Sequence, residues 1–432
     1  MIYFILSFIT IYFILNYSSF FGIFGVPGSN QVTLKCLYQY YSSLFDTFRK
    51  PSIQNLESNC NDEYDTVYGY CCRQLFNTFI QNMKNDINYK NRTMNIGVSP
   101  IHHTSFRDIL ERNFAKENIH IFDIDENYEK ITIPEEKKNV SYDIVVITHL
   151  WGKYLDISDI KQNIKGAILV EDVILAGEYK HEFSNKADLI FHSCGMDKRP
   201  SSLFGGYVHI KKSDDDRFNI KEHMLQSIQE LPIPTKREVL KKTFDNTLLY
   251  LIYNVRFIQN MVKLCIYLSD YRLSYVIQKI RKNKPGFEHN NYMRQPTKLM
   301  IDTNKSIYNT QQDIEKLFIE KNKLFISQFS DKEISILFPW NRDFIQSNSH
   351  ISCLPYTPIY ITRNFHNLYF DYFDKHNICI IKNPTYKTFE HANKEIKTFL
   401  DNIFYLPCVY NLTKKEIVNL SKYSKKIINI VI

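Results

Sequence analysis

The chain has 432 residues, a formal net charge of +8 and 44% hydrophobic residues. This composition argues against a largely disordered chain, and the length suits two or three core units. The basic residues are spread along the sequence without an aromatic-interleaved arginine stripe, so we expect no nucleic-acid partner, and a mild attraction to anionic substrates fits as well. The nine cysteines lack the paired spacing of a zinc site, which predicts no metal and a reducing compartment.

Residues 1–26 are almost wholly apolar and contain no charged residue. Their number is close to the ~20 residues that span a bilayer. A membrane anchor, a cleaved signal peptide and an arm packed on a partner subunit all fit this segment. A signal peptide usually begins with positive residues, which are absent here. The first basic residues, Lys35, Arg49 and Lys50, follow the segment, so an anchored chain would keep its body on the cytoplasmic face.

Between residues 94 and 210 the sequence predicts strands that alternate with helices. Apolar runs predict strands at 94–98, 119–123, 143–148, 167–170, 188–192 and 207–210. Helices are expected at 157–163 and at 104–113, the latter with Thr104 or Ser105 as N-cap. Apolar strands separated by helices are typical of a mostly parallel sheet covered on both faces, a three-layer α/β/α arrangement. Such sheets bind their ligands just beyond the strand ends, where polar residues gather in this sequence.

The remainder of the chain predicts a helical region followed by a smaller α+β domain. Residues 214–323 read as largely helical, with a long amphipathic helix over 248–268. Strands are expected at 333–338, 358–362 and 378–381, and helices at 388–403 and 414–423. The predicted organisation is an apolar segment at 1–28, a large domain at 29–213, a helical linker region at 214–330 and a small C-terminal domain at 331–432.

Three short blocks, in chain order, combine strand ends with reactive side chains. Residues 148–152 read Thr-His-Leu-Trp-Gly, and residues 168–172 form an apolar run that ends in Glu-Asp. In the third block, Ser193 lies five residues before Lys198, and a Gly-Gly pair at 205–206 precedes the next strand. Together these blocks resemble the DegT/StrS-type sugar aminotransferases, enzymes of fold type I that use pyridoxal 5′-phosphate (PLP) and are aspartate-aminotransferase-like.

The resemblance implies a role for each reactive residue. Lys198 is expected to be the catalytic residue, which forms the Schiff base with the PLP aldehyde and then moves a proton. Asp172 would hold the pyridine nitrogen in its protonated form, so that the ring can accept electrons. Ser193 would help to bind the cofactor phosphate. All three follow strand ends of the same predicted sheet, where they can meet.

The resemblance extends more loosely over residues 65–425. Cys71 and Cys72 stand where the family has a small-residue turn that opens a helix, and their backbone amides would bind the phosphate. His103, or its neighbour His102, stands where the family has a ring that stacks on PLP. The sequence departs from the family at Leu175, because the family usually has a glutamine three residues after the aspartate.

The resemblance therefore predicts a PLP-dependent aminotransferase. Its amino donor would be an amino acid, with glutamate expected, and its acceptor a keto group, with that of a nucleotide-linked sugar expected. Sites of this fold type lie between subunits, so a homodimer is implied. Leu175 and the apolar segment motivate an alternative, a catalytically silent, membrane-associated binding or scaffold protein that retains the fold.

Overall fold

A computed structural model describes most of the chain beyond the apolar N-terminal segment. The described residues are 34–42, 50–86, 90, 92–176, 181, 183–195, 198, 201–212, 219–254, 258, 261, 292–308, 311–338, 354, 356–375, 378, 380–382, 386–390, 392–407 and 412–431. The predicted anchor at residues 1–26 lies outside them. Among the helices of the described part, none is both long and apolar enough to cross a bilayer.

The main sheet has eight strands. They are β1 (Glu57–Asn59), β2 (Tyr64–Gly69), β3 (Ile96–Val98), β5 (Ile119–Ile121), β8 (Ile144–Thr148), β9 (Ile168–Asp172), β10 (Leu189–Ser193) and β11 (Gly206–Lys211). Their spatial order is β1-β2-β11-β10-β9-β8-β3-β5. The strands from β10 to β5 pair in parallel, whereas β11, β2 and β1 pair antiparallel. The predicted, mostly parallel sheet is therefore confirmed.

Helices cover both faces of this sheet. The helices of this part of the chain are α1 (Leu34–Ser42), α2 (Ile53–Leu56), α3 (Cys72–Asn85), α4 (Thr104–Asn113), α5 (Ser158–Asn163) and α6 (Ile220–Glu230). Apolar side chains of α3, α4 and α6 share one core with the sheet, and α5 packs into a separate core on the other face. The short strands β4 (Ile101–His103), β6 (Asp123–Ile124) and β7 (Ile131–Thr132) lie in the connections. The result is the expected three-layer α/β/α arrangement.

The central strands are apolar because both of their faces are buried. Every residue of β8 and of β9 is buried. Ile144 and Val146 point into the core beneath α3 and α4, whereas Val145 and Ile147 point into the core on the other face. This alternation, with a period of two residues, fixes which face each polar residue at a strand end will occupy.

Helices join the sheet to the C-terminal part, as the sequence predicts. They are α7 (Lys236–Asn254), α8 (Lys298–Tyr308) and α9 (Gln311–Ile326). Helix α7 covers the beginning of the amphipathic helix predicted at 248–268, most of which lies outside the described residues. The domain boundaries remain a prediction.

The C-terminal part contains a second, smaller sheet. Its elements are α10 (Asp331–Leu337), β12 (Tyr356–Tyr360), α11 (His366–Lys375), β13 (Ile381–Lys382), β14 (Tyr386–Thr388), α12 (Lys394–Asp401), β15 (Ile403–Pro407) and α13 (Lys414–Val431). Strands β12, β15 and β13 pair antiparallel, in that order, as expected of an α+β unit. Strand β14 instead pairs with β4, so the C-terminal part reaches the connection between β3 and α4.

The strand predicted at 333–338 is wrong, because residues 331–337 form helix α10. Ser330 and Glu333 explain the difference. The Ser330 hydroxyl accepts from the Glu333 N–H while the Glu333 side chain caps the Ser330 backbone, a reciprocal arrangement that begins a helix. A short apolar run does not by itself distinguish a strand from a helix, whereas this pair of caps does.

Candidate functional site

Polar side chains meet at the carboxyl ends of three adjacent parallel strands. Thr148 ends β8, Asp172 ends β9 and Ser193 ends β10. Thr148 and Asp172 are direct register partners, and Ser193 extends two residues beyond the partner of Asp172 on β10. The residue two positions before each belongs to the core beneath α3 and α4, so all three side chains share that face. Asp172 and Ser193, which the sequence singles out, therefore lie on neighbouring strands and one face.

The Asp172 carboxyl is buried, with 1% of the residue exposed. Its Oδ1 accepts from the Ile174 N–H at 3.2 Å, whereas its Oδ2 has no hydrogen-bond partner among the described residues. Burial raises the pKa of this carboxyl to about 6, although the Ile174 N–H and the charge of Lys198 oppose the rise. A buried carboxylate oxygen without a donor costs free energy, which a ligand that brings an N–H would offset.

Lys198 lies in the same neighbourhood. It is half-buried, and its backbone N–H donates to the Gly195 carbonyl at 3.0 Å. Its ammonium lies close enough to lower the pKa of Asp172 and, against the stronger effect of burial, that of the Cys72 thiol. Lys198, Asp172 and the start of α3 are therefore close enough to interact electrostatically. Residues 196, 197, 199 and 200 lie outside the described residues.

The start of helix α3 faces this neighbourhood. Cys71 is the N-cap residue and its side chain makes no capping hydrogen bond. No acidic residue occupies the first turn, so the backbone N–H groups there suit an anion. A Cβ atom on Gly206 would lie 2.6 Å from the Cys72 nitrogen, so β11 passes this helix end at a distance that only glycine permits. Burial holds the pKa of the Cys72 thiol well above its usual value, so this thiol is neutral.

The adjacent histidines have different surroundings. His103 is the N-cap of α4, where its Nδ1 accepts from the Ser105 N–H at 3.2 Å, and its ring meets the Tyr386 ring edge-on at 6.0 Å. The N-cap predicted at Thr104 or Ser105 is therefore wrong by one residue or more, because the imidazole nitrogen accepts as a hydroxyl would. His102 is fully buried, and its Nδ1 lies 2.6 Å from the hydroxyl of Thr148.

Thr148 is a part of the site that the sequence argument missed. It lies beside Asp172 as its register partner on the adjacent strand, and its hydroxyl lowers the pKa of that carboxyl against the stronger effect of burial. Its backbone N–H donates to the Ser99 hydroxyl at 3.0 Å. The signal was present, because Thr148 ends an otherwise apolar strand and opens the Thr-His-Leu-Trp-Gly block, but its partner His102 can be recognised only once β4 is placed.

The other face of the same strand ends carries a second ionisable pair. His149 Nε2 lies 3.2 Å from Glu171 Oε1, and both side chains are fully buried. The Leu155 N–H donates to His149 Nδ1 at 3.0 Å, so the ring proton is on Nε2, towards the carboxylate. Asn185 also donates to Glu171 Oε1, at 2.5 Å. His149 is therefore buried, as expected, and its structural role stays a prediction.

Leu175 lies in an apolar environment. It is buried, and it belongs to the apolar cluster of the C-terminal part together with Trp151. Its carbonyl accepts from the Gly152 N–H at 2.9 Å, which joins the end of β9 to the loop after β8. A leucine therefore suits this position through packing, and a glutamine side chain would have to leave the cluster to find polar partners.

The comparisons with known proteins identify the fold. No protein-family model and no curated protein matches the chain by sequence. Among solved structures, a Streptococcus pneumoniae protein described as a sugar aminotransferase, Spr1654, in its PMP form, is 13% identical, with a TM-score of 0.62 and coverage of 95% of this chain and 99% of its own.

Two further solved structures agree with this match. PseC of Helicobacter pylori, an aminotransferase involved in pseudaminic acid biosynthesis, is 12% identical, with a TM-score of 0.58 and coverage of 93% of this chain and 99% of its own. The E. coli GDP-4-keto-6-deoxy-D-mannose-3-dehydratase with bound hydrated PLP is 13% identical, with the same TM-score and the same coverages. At these identities the matches establish the fold alone, and the predicted PLP-transferase fold type I is confirmed.

Proposed function

We propose that the chain is a PLP-dependent aminotransferase that moves an amino group from an amino acid to a keto group of a nucleotide-linked sugar. The observation that best supports this proposal is the burial of Asp172, whose Oδ2 has no hydrogen-bond partner among the described residues while the Lys198 ammonium lies nearby. The solved structures that share the fold support the same chemistry, since they include PLP and PMP forms and sugar aminotransferases.

The residues present fit PLP. Asp172 Oδ2 would accept from the protonated pyridine nitrogen, which supplies the missing donor and keeps the carboxylate ionised. When bound, PLP supplies an electron sink for the pair released when a bond to the amino acid Cα breaks. A pKa of about 6 leaves the carboxyl mostly ionised at pH 7 even without that partner.

Lys198 has two tasks in this proposal. Its amine would hold the cofactor before the substrate arrives, and it would then move the proton at the substrate Cα. Lys198 is therefore the residue whose loss would stop the reaction while leaving the fold in place.

The phosphate of the cofactor would lie at the start of α3. Its ligands would be the backbone N–H groups that follow Cys71, including that of Cys72, and the hydroxyl of Ser193. Gly206 lets β11 pass close to that helix end. Glutamate as donor, assembly as a homodimer and membrane association through residues 1–26 complete the proposal, and none of them depends on the Asp172 geometry.

A titration of the purified full-length chain with PLP tests the function. We expect a visible absorbance band for the wild type and for Lys212→Ala, a control at a part-exposed lysine that pairs with Asp65. Lys198→Ala should lack the band. Glutamate should then yield 2-oxoglutarate, with the amino group transferred to an added nucleotide-linked keto sugar. A colourless wild type that behaves as Lys198→Ala does would overturn the enzyme and favour the silent scaffold.

A further inference from the structure

Thr148 stands between a buried imidazole and the Asp172 carboxyl. Its Cα is the register partner of that of Asp172, and its Oγ1 lies 2.6 Å from His102 Nδ1. Its backbone N–H donates to the Ser99 hydroxyl, which lies 3.1 Å from His102 Nε2. The three side chains Ser99, His102 and Thr148 thus form a closed ring of contacts behind the carboxyl that faces the cofactor site.

The donor and the acceptor of each contact among Ser99, His102 and Thr148 follow from the protonation states of His102 and Asp172. Burial lowers the pKa of His102 to about 3, so its ring is neutral at pH 7 and has one donor and one acceptor nitrogen. An ionised Asp172 can only accept, so the hydroxyl of Thr148, its register partner on the same face of the sheet, is assigned as a donor towards it. Thr148 Oγ1 must then accept from His102 Nδ1–H. His102 Nε2 is left to accept from the Ser99 hydroxyl.

We propose that His102 and Thr148 are positioning residues, which fix the Asp172 side chain from the adjacent strand so that its unpartnered Oδ2 stays available to the cofactor nitrogen. This inference rests on the proposed function. It assigns His102 to the support of the carboxylate, because both ring nitrogens face neighbouring hydroxyls and the ring is fully buried. A ring that stacks on PLP would instead need a face open to the site.

Substitutions that keep the shape of the side chain can test each of these hydrogen bonds separately. Thr148→Val keeps the branched side chain and loses the hydroxyl, whereas Thr148→Ser keeps the hydroxyl. In His102→Asn, the amide nitrogen takes the place of Nδ1, and in His102→Gln it takes the place of Nε2. The PLP dissociation constant of the full-length chain and the melting temperature of the cofactor-free protein are measured for each variant.

We expect Thr148→Val and His102→Gln to weaken PLP binding about 10-fold or more, since a hydrogen bond to a charged group is lost. Thr148→Ser and His102→Asn should stay within about 3-fold of the wild type, a rescue that loss of packing alone would not give. Melting temperatures should not follow this order.

Three results would contradict the inference. Equal PLP affinity for Thr148→Val and wild type would show that the hydroxyl has no role in positioning. Rescue by His102→Gln in place of His102→Asn would reverse the assigned protons. PLP affinities that follow the melting temperatures would show that both residues act only through packing. A wild type that binds no PLP would instead overturn the proposed function itself, so the two failures are distinguishable.

Discussion

Glu171 and Asp172 are neighbours in β9, yet their carboxyls lie on opposite faces of the sheet and have different surroundings. Glu171 Oε1 has an imidazole and an amide as neighbours, His149 at 3.2 Å and Asn185 at 2.5 Å. Asp172 Oδ1 accepts from a backbone N–H, Oδ2 has no partner among the described residues, and the charge of Lys198 acts on the carboxyl against the stronger effect of burial on its pKa. Oε2 of Glu171 also has no partner among the described residues, whereas its Oε1 lies 3.2 Å from His149 Nε2.

The difference separates a structural carboxylate from one that awaits a ligand. His149 and Glu171 face each other within the protein, so removing the Glu171 side chain's interaction with the imidazole should cost stability. Asp172 is held in place by groups that do not neutralise it, so its charge costs stability until a cation arrives. Buried polar groups left incomplete in this way are typical of functional sites.

Asp172→Asn should give the largest change, and it should be a gain in the stability of the cofactor-free protein. The folded-state pKa of about 6 lies above the ordinary value of 3.8, so the contribution of Asp172 to stability is present below pH 4 and is lost as the pH rises through 6. The substitution removes this cost, which is about 3 kcal/mol at pH 8. Urea unfolding at several pH values measures it.

The same variant should bind PLP weakly, because a neutral amide cannot stabilise the pyridinium. A stability gain that stays constant between pH 4 and pH 8 would contradict the assignment of the raised pKa to Asp172. A loss of stability at pH 8 would show that the carboxylate is already neutralised within the protein.

Gly206→Ala tests how closely β11 approaches the start of α3 on the Asp172 face. The added Cβ would meet backbone atoms, the Cys72 nitrogen at 2.6 Å and the His192 oxygen at 2.8 Å, and backbone cannot move aside as a flexible side chain does. We expect a loss of about 2 kcal/mol in the free energy of unfolding and a weaker affinity for inorganic phosphate and PLP.

Gly166→Ala is the matched control for that prediction. Its Cβ would meet nothing within 4 Å, although its φ of +80° makes the substitution cost about 1 kcal/mol in stability. It should therefore leave PLP affinity unchanged. Equal affinity losses in the two variants would mean that the effect reflects stability and not the approach of β11 to the helix.

Glu171→Gln should have the opposite sign to Asp172→Asn. It keeps the shape and the acceptor for Asn185, and it removes the charge that faces His149. We expect the cofactor-free protein to lose about 1–2 kcal/mol of unfolding free energy at pH 7, with little change in PLP affinity. A stability gain would show that the two faces do not differ in the way described, and chemical denaturation decides the sign.

Substitution of His103 should have the smallest effect on stability. It can also distinguish two roles of this side chain, capping of α4 and stacking on PLP. His103→Ala should cost about 1 kcal/mol through loss of the α4 N-cap, whereas His103→Asn should retain the cap and most of the stability. If the ring stacks on PLP, as the sequence predicts, both variants should bind PLP more weakly. If the ring only caps the helix, His103→Asn should bind as the wild type does, which a fluorescence titration with PLP can measure.

The sheet and its strand ends could be predicted because strands buried on both faces consist of consecutive apolar residues. Asp172 and Ser193 follow such runs, and their shared face follows from the alternation of side chains along β9 and β10. The five-residue spacing from Ser193 to Lys198 completed the resemblance to the aminotransferase family, which assigns the three residues to one site. The sequence pattern places both residues correctly, because parallel strands have their carboxyl ends at the same edge of the sheet.

The features that could not be predicted depend on contacts between distant segments. The contact of His102 with Thr148 requires β4 to cross the end of β8, and β4 is held there by β14 from the C-terminal part. The helix at 331–337 was read as a strand because a short apolar run has no distinct period, and the cap formed by Ser330 and Glu333 was the deciding signal. The burial of Leu175 beside the C-terminal cluster likewise needed the fold.

Reductive trapping of PLP on the full-length chain tests the central claim most directly. The protein is mixed with PLP, reduced with borohydride, digested and analysed by mass spectrometry, with Lys212→Ala as control. The proposed site predicts one dominant phosphopyridoxyl adduct, on the peptide that contains Lys198, with its loss in Lys198→Ala and its weakening in Asp172→Asn. An adduct spread over surface lysines, unchanged in Lys198→Ala, would contradict the assignment of this site.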